Sequence, residues 1–160
     1  MSNTPRLDWT PHWRWMNENL IELVDLFAAG KLGWTPREGE WPAQLIFAHL
    51  VLARYHGPIP APPDLSRIGQ VPINCKSASG IKEELRASWE MLERFLSDAA
   101  RLDAEYPRVG DEYYRDDPAR NDGHYIAYHR FAHDLHHRST LIGYLAQLGV
   151  PLDGHRVRPL

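Results

Sequence analysis

Five histidines carry the chemical signal in this chain. Four of the nine histidines lie in the run His129-Arg-Phe-Ala-His133-Asp-Leu-His136-His137, and a fifth, His49, stands alone in an apolar stretch. Residues four apart share one helical face, so His133 and His137 can offer two imidazoles to one ion without distorting a helix. A wheel at about 100° per residue puts Ile126, His133, His137, Leu141, Tyr144 and Leu148 in one narrow sector. His129 and His136 fall toward its polar edge. The third ligand must come from another helix, and His49, four residues after Leu45 and three before Leu52, is on the apolar side of its own.

Three neutral imidazoles at about 2.0–2.1 Å suit zinc, and also nickel, copper or iron. Three protein ligands leave coordination positions open, as catalytic rather than structural zinc sites do. An ion there could acidify a bound water or take a substrate thiolate directly. The bland alternative is a set of core histidines held by ordinary hydrogen bonds. Two unpaired imidazoles facing a core would, however, be costly to bury.

Other groups near the run have weaker roles. Asp134, His136 and His129 are candidates for orienting a ligand imidazole from behind. For Asp134 the simpler reading is a helix-surface charge, because it and Arg138 point away from the ligands on the wheel. His129 and His136 read more simply as exposed or hydrogen-bonded histidines. Tyr144 shares the ligand sector and could bond a metal-bound group, or simply fill the core. His12 and His56 lie near helix ends, and Cys75, beside Lys76, reads as an inert thiol.

Four amphipathic segments must position these residues. The first starts at Thr10-Pro11, an N-cap followed by proline, and stops at Gly30. The second spans about 42–55 and ends at Gly57-Pro58. The third spans about 79–100 with Ser79 as its cap. The fourth starts after Asn121-Asp122 and runs to Leu148, where Gly149 and Pro151 stop it. No segment alternates with period two and no repeat is visible, so the expected fold is all-α, a four-helix bundle in one domain over 1–160. Two long connections, 57–78 and 101–122, serve as crossovers. The first carries five prolines and reads as stiff and extended.

Composition narrows the function classes. The net charge is −3, from 18 basic and 21 acidic residues, and no basic patch is present, which argues against nucleic acid as a partner. The longest apolar run, 43–53, is far too short to span a membrane. Arg6, Asp8, His12 and Arg14 precede any long apolar run, unlike a signal peptide. With a single cysteine, the chain reads as cytoplasmic. Five of the six tryptophans lie in the first 41 residues and read as core and interface area. A ferritin-like di-iron site needs Glu-x-x-His pairs, and no glutamate precedes a histidine by three. The zincin motif is also absent.

The run His133-Asp-Leu-His136-His137-Arg138, closing at Leu148-Gly149-Val150-Pro151, resembles the last helix of the DinB/YfiT-like superfamily. Phe47-Ala48-His49-Leu50 resembles its second-helix histidine motif. The resemblance covers nearly the whole chain in helix order, with specific motifs in two segments. It implies an up-down-down-up bundle, a divalent metal on His49, His133 and His137, and frequent dimerisation. Some relatives are thiol-dependent transferases and others resemble metal-dependent hydrolases. It therefore implies a low-molecular-weight thiol as a co-substrate and an unassigned small-molecule substrate. One departure is Ser139-Thr140, where relatives often have Gly-Gln. The alternative to an enzyme is a non-catalytic metal- or ligand-binding bundle. A second apolar side of the last helix, formed by Tyr128, Phe131, Leu135 and Ile142, must be covered by another helix or by a second subunit. With the resemblance it gives the expectation of a homodimer.

Overall fold

A computed structural model describes residues 8–27, 30–55, 74–106 and 122–152. The described chain is helical. Its elements are α1 (Thr10–Leu26), a 3-10 turn (Lys31–Gly33), α2 (Ala43–Tyr55), α3 (Ala78–Leu96), the short α4 (Ala99–Asp103) and α5 (Gly123–Gln147). Among the described residues there is no strand, only an isolated bridge between Glu105 and Asp122. No described helix is long and apolar enough to cross a membrane. Residues 57–73 and 107–121 of the two expected crossovers lie outside the described residues, as does His56.

The helix ends follow from specific caps, several of them one or two residues from where spacing alone puts them. Trp9, not Thr10, occupies the cap of α1, and the Asp8 carboxylate accepts the Thr10 backbone N–H at 2.9 Å. Ser77, not Ser79, caps α3 by accepting from the Gly80 N–H at 3.1 Å. A side chain at Gly80 would collide with the Asn74 carbonyl, with only 1.9 Å from it to an added Cβ. The third helix also stops at Leu96 instead of reaching residue 100. Asp98 breaks it by capping a new helix, its carboxylate taking the Arg101 N–H at 3.2 Å. Asp122 caps α5 in the same way, from Tyr125 at 2.8 Å. At the far end Gly149 turns left-handed at φ 69. The N–H groups of Gly149 and Val150 return to Ala146 and Leu145 at 3.1 and 3.0 Å, a Schellman stop.

The principal contacts join α1 to α3, α3 to α2, α2 to α5 and α5 to α1, so each long helix touches two others. One apolar cluster unites Leu20 and Leu23 of α1 with its C-cap Phe27, Phe47 and Leu50 of α2, Ile81 and Leu85 of α3, and Leu141 and Leu145 of α5. A second unites Trp13, Met16, Trp89, Leu92 and Phe95, with Phe131 and Leu135 packed against it. The second apolar side of α5 is thereby largely covered within the chain. Phe131 meets the rings of Trp9 and Trp13 at 5.4 and 5.7 Å, and Ile142 is buried. Tyr128 alone of the four stays open, at 57% exposure. A second copy is not needed to explain that side.

Between the clusters lies a buried polar centre. The Arg54 side chain is fully buried and its partner Asp134 is 1% exposed. Arg54 Nε donates to Asp134 Oδ2 at 2.9 Å, and Nη2 lies 2.9 Å from the same oxygen. Nη1 donates to Asn17 Oδ1 at 2.7 Å, and reaches the Leu85 carbonyl and Ser88 Oγ at 3.3 Å each. Trp13 Nε1 donates to Asp134 Oδ2 at 2.8 Å. One guanidinium on α2 thus engages α1, α3 and α5 together. α2 is apolar nearly all round and Arg54 is its single charge, so that charge has nowhere to go but into a pair.

Truncating one partner leaves the other charged, buried and unmatched. Arg54→Ala should therefore lower unfolding free energy by about 3–5 kcal/mol, measured by urea titration. A loss below about 1 kcal/mol, the range of an exposed pair, would show that the pair is not buried in solution.

Candidate metal centre

The geometry brings His49, His133 and His137 together from α2 and α5. One ring nitrogen from each lies within 4.8 Å of the others, a group able to hold a metal ion. Ring centroids are 4.8 Å apart for His49 with each of the other two, and 4.5 Å for His133 with His137. The close approach is between His49 Nε2 and His133 Nε2, at 2.8 Å. Two imidazole nitrogens on one ion, each at about 2.0–2.1 Å, lie about 3 Å apart. To take an ion the His49–His133 pair must open slightly, while the longest separation in the cluster, 4.8 Å, must close by about 1 Å or more.

The electrostatics keep the His137 imidazole neutral. Burial pushes His137 down to about 3, and the neighbouring imidazoles of His133, His49 and His136 add to the effect, opposed in part by Asp134. A neutral imidazole is the form that binds metal. The donor set is all nitrogen, which suits zinc and the later first-row ions over magnesium or calcium.

Trp41 stands at the edge of the site, 46% exposed, with its ring 5.1 Å from that of His49. Tyr144 is engaged elsewhere. Its hydroxyl donates to the Trp41 carbonyl at 3.0 Å and lies 3.4 Å from Glu40 Oε2, while its ring meets Trp34 at 5.6 Å. Burial raises its hydroxyl pKa, and Glu40 adds to this. Tyr144 thus secures the segment leading into α2.

The remaining expected residues separate clearly. His136 is exposed and stacks on His137 with centroids 4.9 Å apart. His129 is half-buried beside Tyr125, at 6.3 Å. His12 is exposed against Trp15 and Phe131. Cys75 is buried, and burial together with Glu84 pushes its thiol up to about 12, which suppresses the reactive thiolate.

Asp134 and Arg138 are the corrections. Neither is a helix-surface charge, since both are 1% exposed. The side of α5 opposite the histidines faces α1, not solvent. Arg138 lies over the Trp15 ring at 5.4 Å and donates to Asn19 Oδ1 at 3.2 Å. Burial would raise the Asp134 carboxyl pKa, but the Arg54 guanidinium, together with the hydrogen bond from Trp13, holds it below the ordinary value. Helix spacing alone does not single out Arg54, but the sequence carries a signal for it: a lone arginine in an otherwise apolar helix, five residues after His49.

The depressed His137 value has a sign that can be measured. In the unfolded chain this imidazole takes a proton near 6.5, and in the fold only near 3. Between those values the unfolded state binds more protons, so stability is intact above 6.5 and is lost as pH falls toward 3. The metal-stripped protein should show a lower urea midpoint at pH 5 than at pH 7. His137→Leu should flatten that dependence, and an unchanged slope in the variant would contradict the burial of His137.

Comparison of the chain with protein-family models, with curated proteins and with solved structures finds no match. The functional reading rests on the site itself.

Proposed function

We propose that this protein is a divalent-metal-binding enzyme of the thiol-transferase or hydrolase type, built as a DinB/YfiT-like four-helix bundle. The observation that carries the reading is the convergence of three imidazoles from two helices, with one nitrogen of each within 4.8 Å of the others. A bound divalent ion would supply Lewis acidity there, toward an oxygen or a thiol sulfur. His49, His133 and His137 would hold it. With no fourth ligand among the described residues, the set leaves room for a small molecule.

An up-down-down-up course is supported by the order of paired contacts. Arg14 with Glu93 and Asp25 with Lys82 pair α1 and α3 in opposite chain directions. Gln44 with Cys75 and Arg54 with Leu85 pair α2 and α3 in the same direction. Trp13 with Asp134 and Asn19 with Arg138 pair α1 and α5 in the same direction. Trp41 with Tyr144 and Arg54 with Asp134 pair α2 and α5 in opposite directions.

Elemental analysis tests the site. Protein purified without a nickel column should carry close to one divalent ion per chain, and His49→Ala and His137→Ala should carry almost none. Equal metal in all three would sink the site. With the metal loaded, a low-molecular-weight thiol that raises the melting temperature supports the transferase arm. Thiols that leave it unmoved favour the hydrolase arm.

A further inference from the structure

Asp134 has two oxygens in very different situations. Oδ2 accepts from Trp13 Nε1 at 2.8 Å and from Arg54 Nε at 2.9 Å, and Arg54 Nη2 lies in ion-pair contact with it at 2.9 Å. Oδ1 is buried and has no hydrogen-bond partner among the described residues. The same holds for His133 Nδ1. These two atoms face each other at 3.9 Å. A buried acceptor and a buried ring nitrogen left without partners are each costly, on the order of 1–3 kcal/mol. Arg54 Nη2 is also buried without a hydrogen-bond partner, but it lies against Oδ2, whereas His133 Nδ1 lies against Oδ1.

We infer that Asp134 is a positioning residue for the metal ligand His133, accepting a hydrogen bond from its Nδ1–H and so fixing the tautomer whose Nε2 lone pair faces the ion. This deepens the metal reading and rests on it. The facing pair is unexpected on a helix, because adjacent residues point about 100° apart. It arises because Asp134 is not free to follow the helix surface. Arg54 holds Oδ2 and thereby aims Oδ1 back toward His133, with Trp13 as an additional donor to Oδ2. The distance closes to hydrogen-bond length with a shift of about 1 Å, within the reach of an imidazole ring turning as it takes a ligand.

The consequence reaches beyond one bond. α1 and α3 give no ligand, yet both hold the group that aims one. Trp13 and Asn17 of α1, Leu85 and Ser88 of α3 and Arg54 of α2 all bear on the carboxylate or its guanidinium partner. A carboxylate behind a ligating histidine also raises the basicity of that ligand, and loss of such a partner typically costs about 10–100-fold in metal affinity.

The test uses zinc affinity by chelator competition together with the ring N–H signals of histidine-labelled, zinc-loaded protein. The wild type should show His133 protonated at Nδ1, with a downfield, slowly exchanging N–H. Asp134→Asn should move that signal upfield and weaken zinc binding about 10–100-fold. Trp13→Phe removes one donor to Oδ2 and also costs stability, but leaves Oδ1 in place, so its zinc affinity should stay within about threefold of the wild type. This contrast separates positioning from mere destabilisation. If Asp134→Asn does not fold, Arg54→Met with Asp134→Leu removes both charges together, a change such pairs often tolerate. It should show the same loss of affinity and of the signal. Zinc binding and a His133 signal unchanged in the folded variants would overturn the assignment while leaving the three-histidine site standing. A wild type that takes up no zinc would overturn both.

Discussion

A single buried ion pair organises this molecule. Arg54 and Asp134 are both withdrawn from water, and each would be strongly unfavourable there alone. Their mutual attraction is reinforced on the other side of the guanidinium, where Nη1 meets Asn17, the Leu85 carbonyl and Ser88. Apolar contacts among Leu20, Phe47, Leu85 and Leu141 supply the bulk of the burial, but they are non-directional. A slide of α5 against α2 would strand the Arg54 charge, so the pair fixes their register.

That register is also the one that assembles the site. His133 precedes Asp134 in α5, and His49 precedes Arg54 by five residues in α2. Fixing Asp134 on Arg54 therefore fixes His133 against His49, at 2.8 Å between Nε2 atoms. His137 follows one turn later on the same face. The core and the candidate metal centre are two sides of one placement. Histidines on a loop would need ordering at the moment of metal binding; here the backbone order is supplied by folding.

Much of this is legible in the sequence, and what is not has physical causes. The α5 wheel selects His133 and His137 and sets aside His136, because these two share one inward sector with Leu141 and Tyr144 and His136 is exposed. Gly149 and Pro151 mark the end of α5 correctly, since a Schellman turn needs a left-handed residue. The wheel fails for Asp134 and Arg138. A single-helix projection gives the direction of a side chain but not whether solvent or a second helix lies there. For Tyr144 it leaves two roles open, and the structure shows the core one: the side chain is buried and its hydroxyl is taken by the Trp41 carbonyl. The break at Asp98 is hidden because the apolar spacing runs on through Ala99, while a local cap decides the end.

The central claim is that one divalent ion is held by imidazoles from α2 and α5. Metal-edge X-ray absorption of zinc-loaded protein tests it most directly. The account predicts three imidazole ligands at about 2.0–2.1 Å, with the outer-ring scattering that histidine gives, and lighter exchangeable ligands completing the sphere. A spectrum with no more than one imidazole, or with carboxylate and solvent oxygens alone, would contradict it.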